Sequence, residues 1–231
     1  MRSTLLASVT AIAVLTATAA FAGDKRYDAG ASDTEIKIGQ TMPYSGPASG
    51  YGVNGKVEAA YWRMINSKGG INGRKITLLS MDDGYSPPKT LEQTRRLVEQ
   101  DDVLAIIGAL GTPTNSAIHK YLRSKKVPQL LITSGASKWN DPKDFPWATP
   151  FYPPYEQEAR IYGKYVAKEM PSAKIAVIYQ NDDVGKDYLR GFKEGLGDKA
   201  SSIIKEASYE VSDPTIDSQI VNLKASGADT L

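Results

Sequence analysis

From residue 35 onward the chain alternates between short runs of β-branched and aliphatic residues and longer segments whose apolar residues recur every three or four positions. This alternation constrains the fold more than any other feature, because strand, amphipathic helix, strand in regular succession is the pattern of helices packed on a parallel sheet. The run 35–39 reads as a strand, and a Gly/Pro/Ser loop follows over 42–50. Val53, Val57, Ala60, Tyr61, Met64 and Ile65 then mark a helix over 52–68 that stops at Gly69-Gly70. The pattern repeats with a strand at 75–81, a helix opened by Pro87 with Leu91, Thr94, Leu97 and Val98 on one face, and a strand at 103–107. A helix at 112–125 follows, with Ala117, Ile118, Tyr121 and Leu122 inward, and then a strand at 128–132. The strands are apolar on both faces, as in a sheet covered by helices on two sides. An N-terminal doubly wound α/β lobe over 35–148 is expected.

Between 139 and 155 the periodicity gives way to a passage rich in proline and aromatic residues, and a hinge crossover is expected at 149–155. A second α/β run follows, with helices at 156–170, 185–196 and 216–225, strands at 174–179 and 202–209, Gly227 as a C-cap and a further strand opening at 228. A parallel sheet with barely two complete strands cannot cover its own faces and edges. Residues 156–231 therefore read as a partial C-terminal lobe, cut short by truncation of the chain.

The other end carries a different signal. Arg2 precedes an uncharged apolar run from Leu5 to Ala20, and Ala20-Phe21-Ala22 supplies a small-x-small cleavage site, so residues 1–22 read as a secretory signal peptide cleaved after Ala22. An uncleaved anchor is the alternative, although the run is short for a membrane span. Residues 23–34 form a polar lead. The sequence has no cysteine, so an exported chain of this kind must hold together by its core alone, and it lacks the residue that a lipoprotein acylates. A net charge of +2 without a basic block gives no reason to expect nucleic acid or an anionic membrane as a partner. The expected location is the periplasm.

In open parallel sheets, ligands bind beyond the carboxyl ends of the strands. Here those ends run into 43–52, into Asp82-Asp83-Gly84-Tyr85, into 108–112 and into Thr133-Ser134-Gly135-Ala136-Ser137. Glycines admit a ligand to the backbone, hydroxyls donate and accept, and Thr112 opens a helix whose free N–H groups favour an anion. Each feature taken singly is also an ordinary turn or cap. Their coincidence at four ends suits a small carboxylate. Asp82 and Asp182, both at strand ends, are candidates to line the cleft.

The ordered set Ile36-Lys37-Ile38-Gly39, Ser45-Gly46-Pro47 with Tyr51-Gly52, Gly69-Gly70 through Ile76, Asp82-Asp83, Ile107-Gly108 and Thr133 to Ser137 resembles the leucine/isoleucine/valine-binding family of type I periplasmic solute-binding proteins. The resemblance implies two similar lobes joined by a hinge of three crossover strands, closing on a ligand that is then delivered to the membrane permease of an ABC importer. It implies that Thr112 holds a ligand carboxylate, that Gly135 and Ala136 contribute backbone groups and Ser137 a hydroxyl, and that Tyr51 is an aromatic wall. Where the family often has tyrosine before a second-lobe glycine, this chain has Val184 before Gly185; Tyr152 is a candidate for part of that wall. A small amino acid, an amide or an aromatic or aliphatic carboxylate is the implied ligand, with no cofactor and no catalysis. A ligand-sensing module of the same fold is the alternative.

Catalytic alternatives have weaker support. Gly50-x-Gly52-x-x-Gly55 matches a dinucleotide-binding spacing, but about ten residues separate it from its strand. Ser86-x-x-Lys89 and Ser202-x-x-Lys205 both fit a penicillin-recognition pattern without its partner motifs. The single histidine, His119, sits mid-helix beside Lys120, is expected at the solvent and has no metal-ligand spacing around it.

Overall fold

A computed structural model describes residues 27–231; the signal segment 1–22 and its cleavage site after Ala22 lie outside the described residues. The first lobe is a five-stranded, all-parallel sheet. Its strands are β1 (Glu35–Met42), β2 (Lys75–Asp82), β3 (Ala105–Ile107), β4 (Gln129–Ile132) and β5 (Ala148–Pro150), in the order β2-β1-β3-β4-β5. The longest pairing runs from Glu35 opposite Lys75 to Met42 opposite Asp82. Helices α1 (Gly52–Ser67), α2 (Pro87–Glu99) and α3 (Thr112–Lys125) fill the crossovers.

The main core lies where α2 and α3 meet the sheet, with Leu97, Val103, Ile106, Ile118 and Leu122 essentially without solvent contact. Burying one such aliphatic side chain stabilises the fold by about 1.5–3 kcal/mol. A smaller cluster of Ile132, Ala136 and Trp139 sits under the edge strand β5, packed by Phe145 and Ala148. This β5 was not expected: the aromatic passage that breaks the periodicity contributes a strand paired in parallel with β4. His119 also differs from expectation. It is half-buried, with its ring 5.1 Å from Phe145 and 6.0 Å from Trp139, and burial pushes its pKa down.

Helix α1 is turned relative to its apolar stripe. Val53, Val57, Tyr61 and Met64 are exposed, while Gly52 and Gly55 face the sheet. The reason is the polar bed beneath: Gln40 Nε2 donates to Glu58 at 2.5 Å, Ser80 donates to Gln40 at 2.9 Å, and the Tyr44 hydroxyl lies 2.6 Å from Ser80 Oγ. A Cβ at Gly55 would lie 2.1 Å from that Tyr44 oxygen, so the glycines that imitate a dinucleotide fingerprint are occupied by packing. At the far end Asn66 exchanges two hydrogen bonds with the Ile76 backbone, which holds α1 on β2.

The second lobe carries β6 (Ile175–Gln180) and β7 (Ile203–Tyr209) in parallel, with Thr230 bridging to Ile175 on the other side of β6. Helices α4 (Tyr155–Glu169), α5 (Asp183–Leu196) and α6 (Asp217–Ala225) complete it. Asp182 caps α5 by accepting from the Val184 and Gly185 amides. Helices α4 and α5 touch through glycine: a Cβ at Gly163 would lie 2.3 Å from the Phe192 carbonyl oxygen, and one at Gly191 would lie 2.1 Å from that of Glu156.

Candidate functional site

The carboxyl ends of the first-lobe strands are held by a carboxylate network. Asp82 accepts from the Tyr44 and Ser45 amides, the Ser45 hydroxyl, the Gly84 amide and the Lys89 ammonium, at 2.6–3.1 Å. Against the cost of burial, hydrogen bonds from Ser45, Lys89 and Gly84 hold its carboxyl well below the usual range. Asp82 therefore organises the loop after β1 and does not line the cleft, contrary to expectation. Asp83 is fully buried, accepts from the Tyr85 amide and Thr90 hydroxyl, and has its pKa raised by burial.

These bonds fix an uncommon backbone turn. Gly84 and Tyr85 both take left-handed conformations, at φ +58° and +61°. The turn lays the Tyr85 ring against Gly111, where a Cβ would come within 2.5 Å of Cε2. Burial raises the Tyr85 phenol to about 12, a rise that the neighbouring Gln180 side chain of the second lobe opposes. Tyr85 thus spans the gap between the lobes.

Thr112 is the first residue of α3 after Gly111, and its hydroxyl lies 2.5 Å from that of Ser134. Ser134 Oγ also accepts from the Ala136 amide and the Trp139 indole, both at 3.2 Å. Burial raises the Tyr155 pKa, while hydrogen bonds with the Gly135 backbone, Ser134 and Thr112 oppose the rise. The start of α3 therefore has a second-lobe phenol at its edge.

Facing it, α4 brings Tyr155 and Glu158, α5 brings Val184 and Tyr188, and the ends of β6 and β7 bring Gln180, Asp182 and Tyr209. Tyr155 and Tyr188 stack with centroids 5.0 Å apart and planes at 25°. The two walls flank an open cleft of about 1130 Å³, somewhat larger than the roughly 300–1,000 Å³ of ordinary ligand pockets. Tyr51, Thr112, Tyr152 and Val184 line it, as does Asp182.

A model of the periplasmic binding protein family matches residues 35–231. The chain belongs to that family. An amino acid binding protein of Pseudomonas aeruginosa is 25% identical over 211 residues, 85% of this chain and 53% of the relative. The Leu/Ile/Val-binding protein homolog 7 of Brucella suis biovar 1 is 25% identical over 214 residues, 87% of this chain and 52% of the relative. Among solved structures, a substrate-binding periplasmic protein from Ralstonia solanacearum matches with a TM-score of 0.73 at 26% identity, covering 84% of this chain and 54% of that one. The chain spans about half the length of the relatives it matches. The family resemblance drawn from the sequence and the doubly wound two-lobe fold both hold.

Within this periplasmic binding protein, three anticipated contact residues lie elsewhere. Gly135, Ala136 and Ser137 are not among the residues lining the cleft. The Gly135 carbonyl accepts from the Tyr155 amide at 2.8 Å, and the Ala136 amide donates to Ser134. The Ser137 amide donates to Asp187 at 2.7 Å and its hydroxyl to Glu156 at 3.2 Å. Gly135 and Ser137 join the lobes, together with the ion pair of Lys138 and Asp183, while Arg190 bridges Glu156 and Asp187 within the second lobe.

Sequence reasoning put Tyr85 on the ligand edge without singling it out, and missed Tyr155, Glu158, Gln180, Tyr188 and Tyr209 as lining residues. Signals existed for several. Gln180 and Tyr209 end second-lobe strands, Tyr188 follows Val184 by one helical turn, and Glu158 follows Tyr155 by three residues on the same face. Among the described residues no helix is long and apolar enough to cross a membrane, and no group of three or more acidic or histidine side chains is placed to hold a metal ion.

Proposed function

We propose that this chain supplies the first lobe and part of the second lobe of a periplasmic receptor for an ABC importer, which binds a small amino acid or related carboxylate between its lobes without transforming it. The receptor is exported by the segment 1–22, cleaved after Ala22, and delivers its ligand to a membrane permease. The observation that carries this reading is the cleft itself, with Tyr51, Thr112 and Tyr152 on one side and Val184 on the other, at the carboxyl ends of both sheets. The ligand carboxylate sits at the N-terminus of α3, where the helix offers free N–H groups and a positive dipole end beside the Thr112 hydroxyl. Contacts to both walls favour the closed arrangement, and the permease reads that difference.

The test is a thermal-shift and calorimetric screen of the full-length mature protein against amino acids, amides and aromatic acids, with the wild type compared to Thr112→Val. A ligand of the native state raises the melting temperature. Loss of the Thr112 hydroxyl weakens a carboxylate ligand by about 1–3 kcal/mol. Unchanged affinity in the variant removes the carboxylate from this corner, and a screen without any binder removes the receptor reading.

A further inference from the structure

The cleft is unevenly charged. Its lining contains three carboxylates, Glu158, Asp182 and Glu210, and six tyrosines, but no lysine, arginine or histidine. Three cations on adjoining segments are paired with other carboxylates, Lys89 with Asp82, Lys138 with Asp183, and Arg190 with Glu156 and Asp187, and Lys186 on α5 is exposed and does not line the cleft. A ligand that is only an anion would find one favourable spot, the start of α3, inside a field of its own sign that low-dielectric walls concentrate.

The three carboxylates are not equivalent. Asp182 is engaged as the cap of α5 and accepts from Gln180 Nε2 at 2.6 Å. Glu210 is exposed and accepts from Asn181. Glu158 is half-buried, and its two oxygens accept one phenol each, Tyr162 at 2.6 Å on Oε1 and Tyr188 at 2.7 Å on Oε2. An ionised carboxylate has about four acceptor sites, so one remains open on each oxygen. Directly beside it stands the stacked pair of Tyr155 and Tyr188. Two parallel acceptors next to electron-rich ring faces fit a cationic nitrogen group, which donates to the oxygens and lies against the rings.

We propose that the ligand carries a positively charged nitrogen group, an alkylammonium or a guanidinium, and that this group seats against Glu158 and the Tyr155–Tyr188 pair. The inference rests on the reading of the cleft as the ligand site. It makes the two walls complementary: the start of α3 draws the carboxylate, the α4–α5 wall draws the cation, and a ligand of the basic amino acid class satisfies both.

Calorimetry on the full-length protein with L-arginine, its neutral isostere L-citrulline, agmatine, L-leucine and benzoate tests this. Arginine is expected to bind at least about ten-fold more tightly than citrulline, and Glu158→Gln to abolish that preference. Raising the salt from about 0.05 to 0.5 M should weaken arginine and leave leucine nearly unchanged. The salt series on the wild type decides the matter should the variant fold poorly. Leucine, citrulline or benzoate binding as tightly as arginine, or an arginine preference untouched by Glu158→Gln, overturns the cationic subsite while leaving the cleft as the ligand site. Failure of every compound to bind overturns both.

Discussion

Replacing Gly111 by alanine tests the construction of the cleft at its tightest point. Gly111 has φ +102° and ψ 153°, a backbone region nearly confined to glycine, and entering it costs a residue with a Cβ about 1–3 kcal/mol. The new methyl would also lie 2.5 Å from Tyr85 Cε2 and 2.6 Å from Thr114 Oγ1. Tyr85 cannot easily retreat, because its backbone is left-handed, its amide is held by Asp83 and its ring is largely buried. Overpacking of this kind costs about 1–3 kcal/mol. The total, about 2–6 kcal/mol, corresponds to a fall in melting temperature of about 4–24 °C at 2–4 °C per kcal/mol. Gly50→Ala is the control, since a Cβ there meets nothing within 4 Å and the backbone has negative φ. In a double-mutant cycle, Gly111→Ala should cost about 1–2 kcal/mol less in the Tyr85→Ala background than in the wild type, the steric part shrinking and the backbone part remaining. A Gly111→Ala protein that melts within about 1 °C of the Gly50→Ala control would refute the reasoning.

Burial raises the Glu58 carboxyl, so its stabilising contribution is complete below the unfolded value of 4.5 and is lost as pH rises through the folded value. Glu58→Gln should therefore raise the melting temperature at pH 7 and flatten the pH profile above 4.5, with a residual slope from Asp83, whose carboxyl is also raised by burial. Asp82 has the opposite sign: its contribution is present above 3.8 and is lost as pH falls through the lowered folded value, so Asp82→Asn should cost about 1 kcal/mol at pH 7, allowing for solvent screening of this partly exposed carboxylate, and progressively less in acid melts. Gly163→Ala should lower the melting temperature although alanine is the better helix former, because the added carbon meets the Phe192 carbonyl at 2.3 Å; an unchanged or higher value would contradict the contact.

Much of the first lobe was legible because β-α alternation is a local property of sequence. The starts of α2 and α3 follow from Pro87 and from the Gly111-Thr112-Pro113 turn. Helix α1 shows the limit: its apolar stripe of Val53, Val57, Tyr61 and Met64 indicates a helix but not which side meets the sheet, and that side was decided by a distant polar network at Gln40, Tyr44 and Ser80. His119 was misread for the same reason, since Trp139 and Phe145 approach it from a segment whose pairing has no periodic signal. The site follows this division. Tyr51, Thr112, Tyr152 and Val184 line the cleft, whereas Gly135, Ala136 and Ser137 adjoin it in sequence but bond to Tyr155, Glu156 and Asp187. Those partners depend on how the lobes are set against each other, which no local pattern encodes.

The glycine seam between α4 and α5 has a mechanical consequence. With backbone resting on backbone at Gly163 and Gly191, and with Tyr155 stacked on Tyr188 and Arg190 paired with Glu156 beside them, the two helices resist shear and turn together, like a single lever arm. The near end of that lever is pinned at Gly135 and Ser137, which makes these residues the fulcrum. A swing of the second lobe then moves Glu158 and Tyr188 along one arc at fixed separation, and the far wall reaches its ligand already assembled.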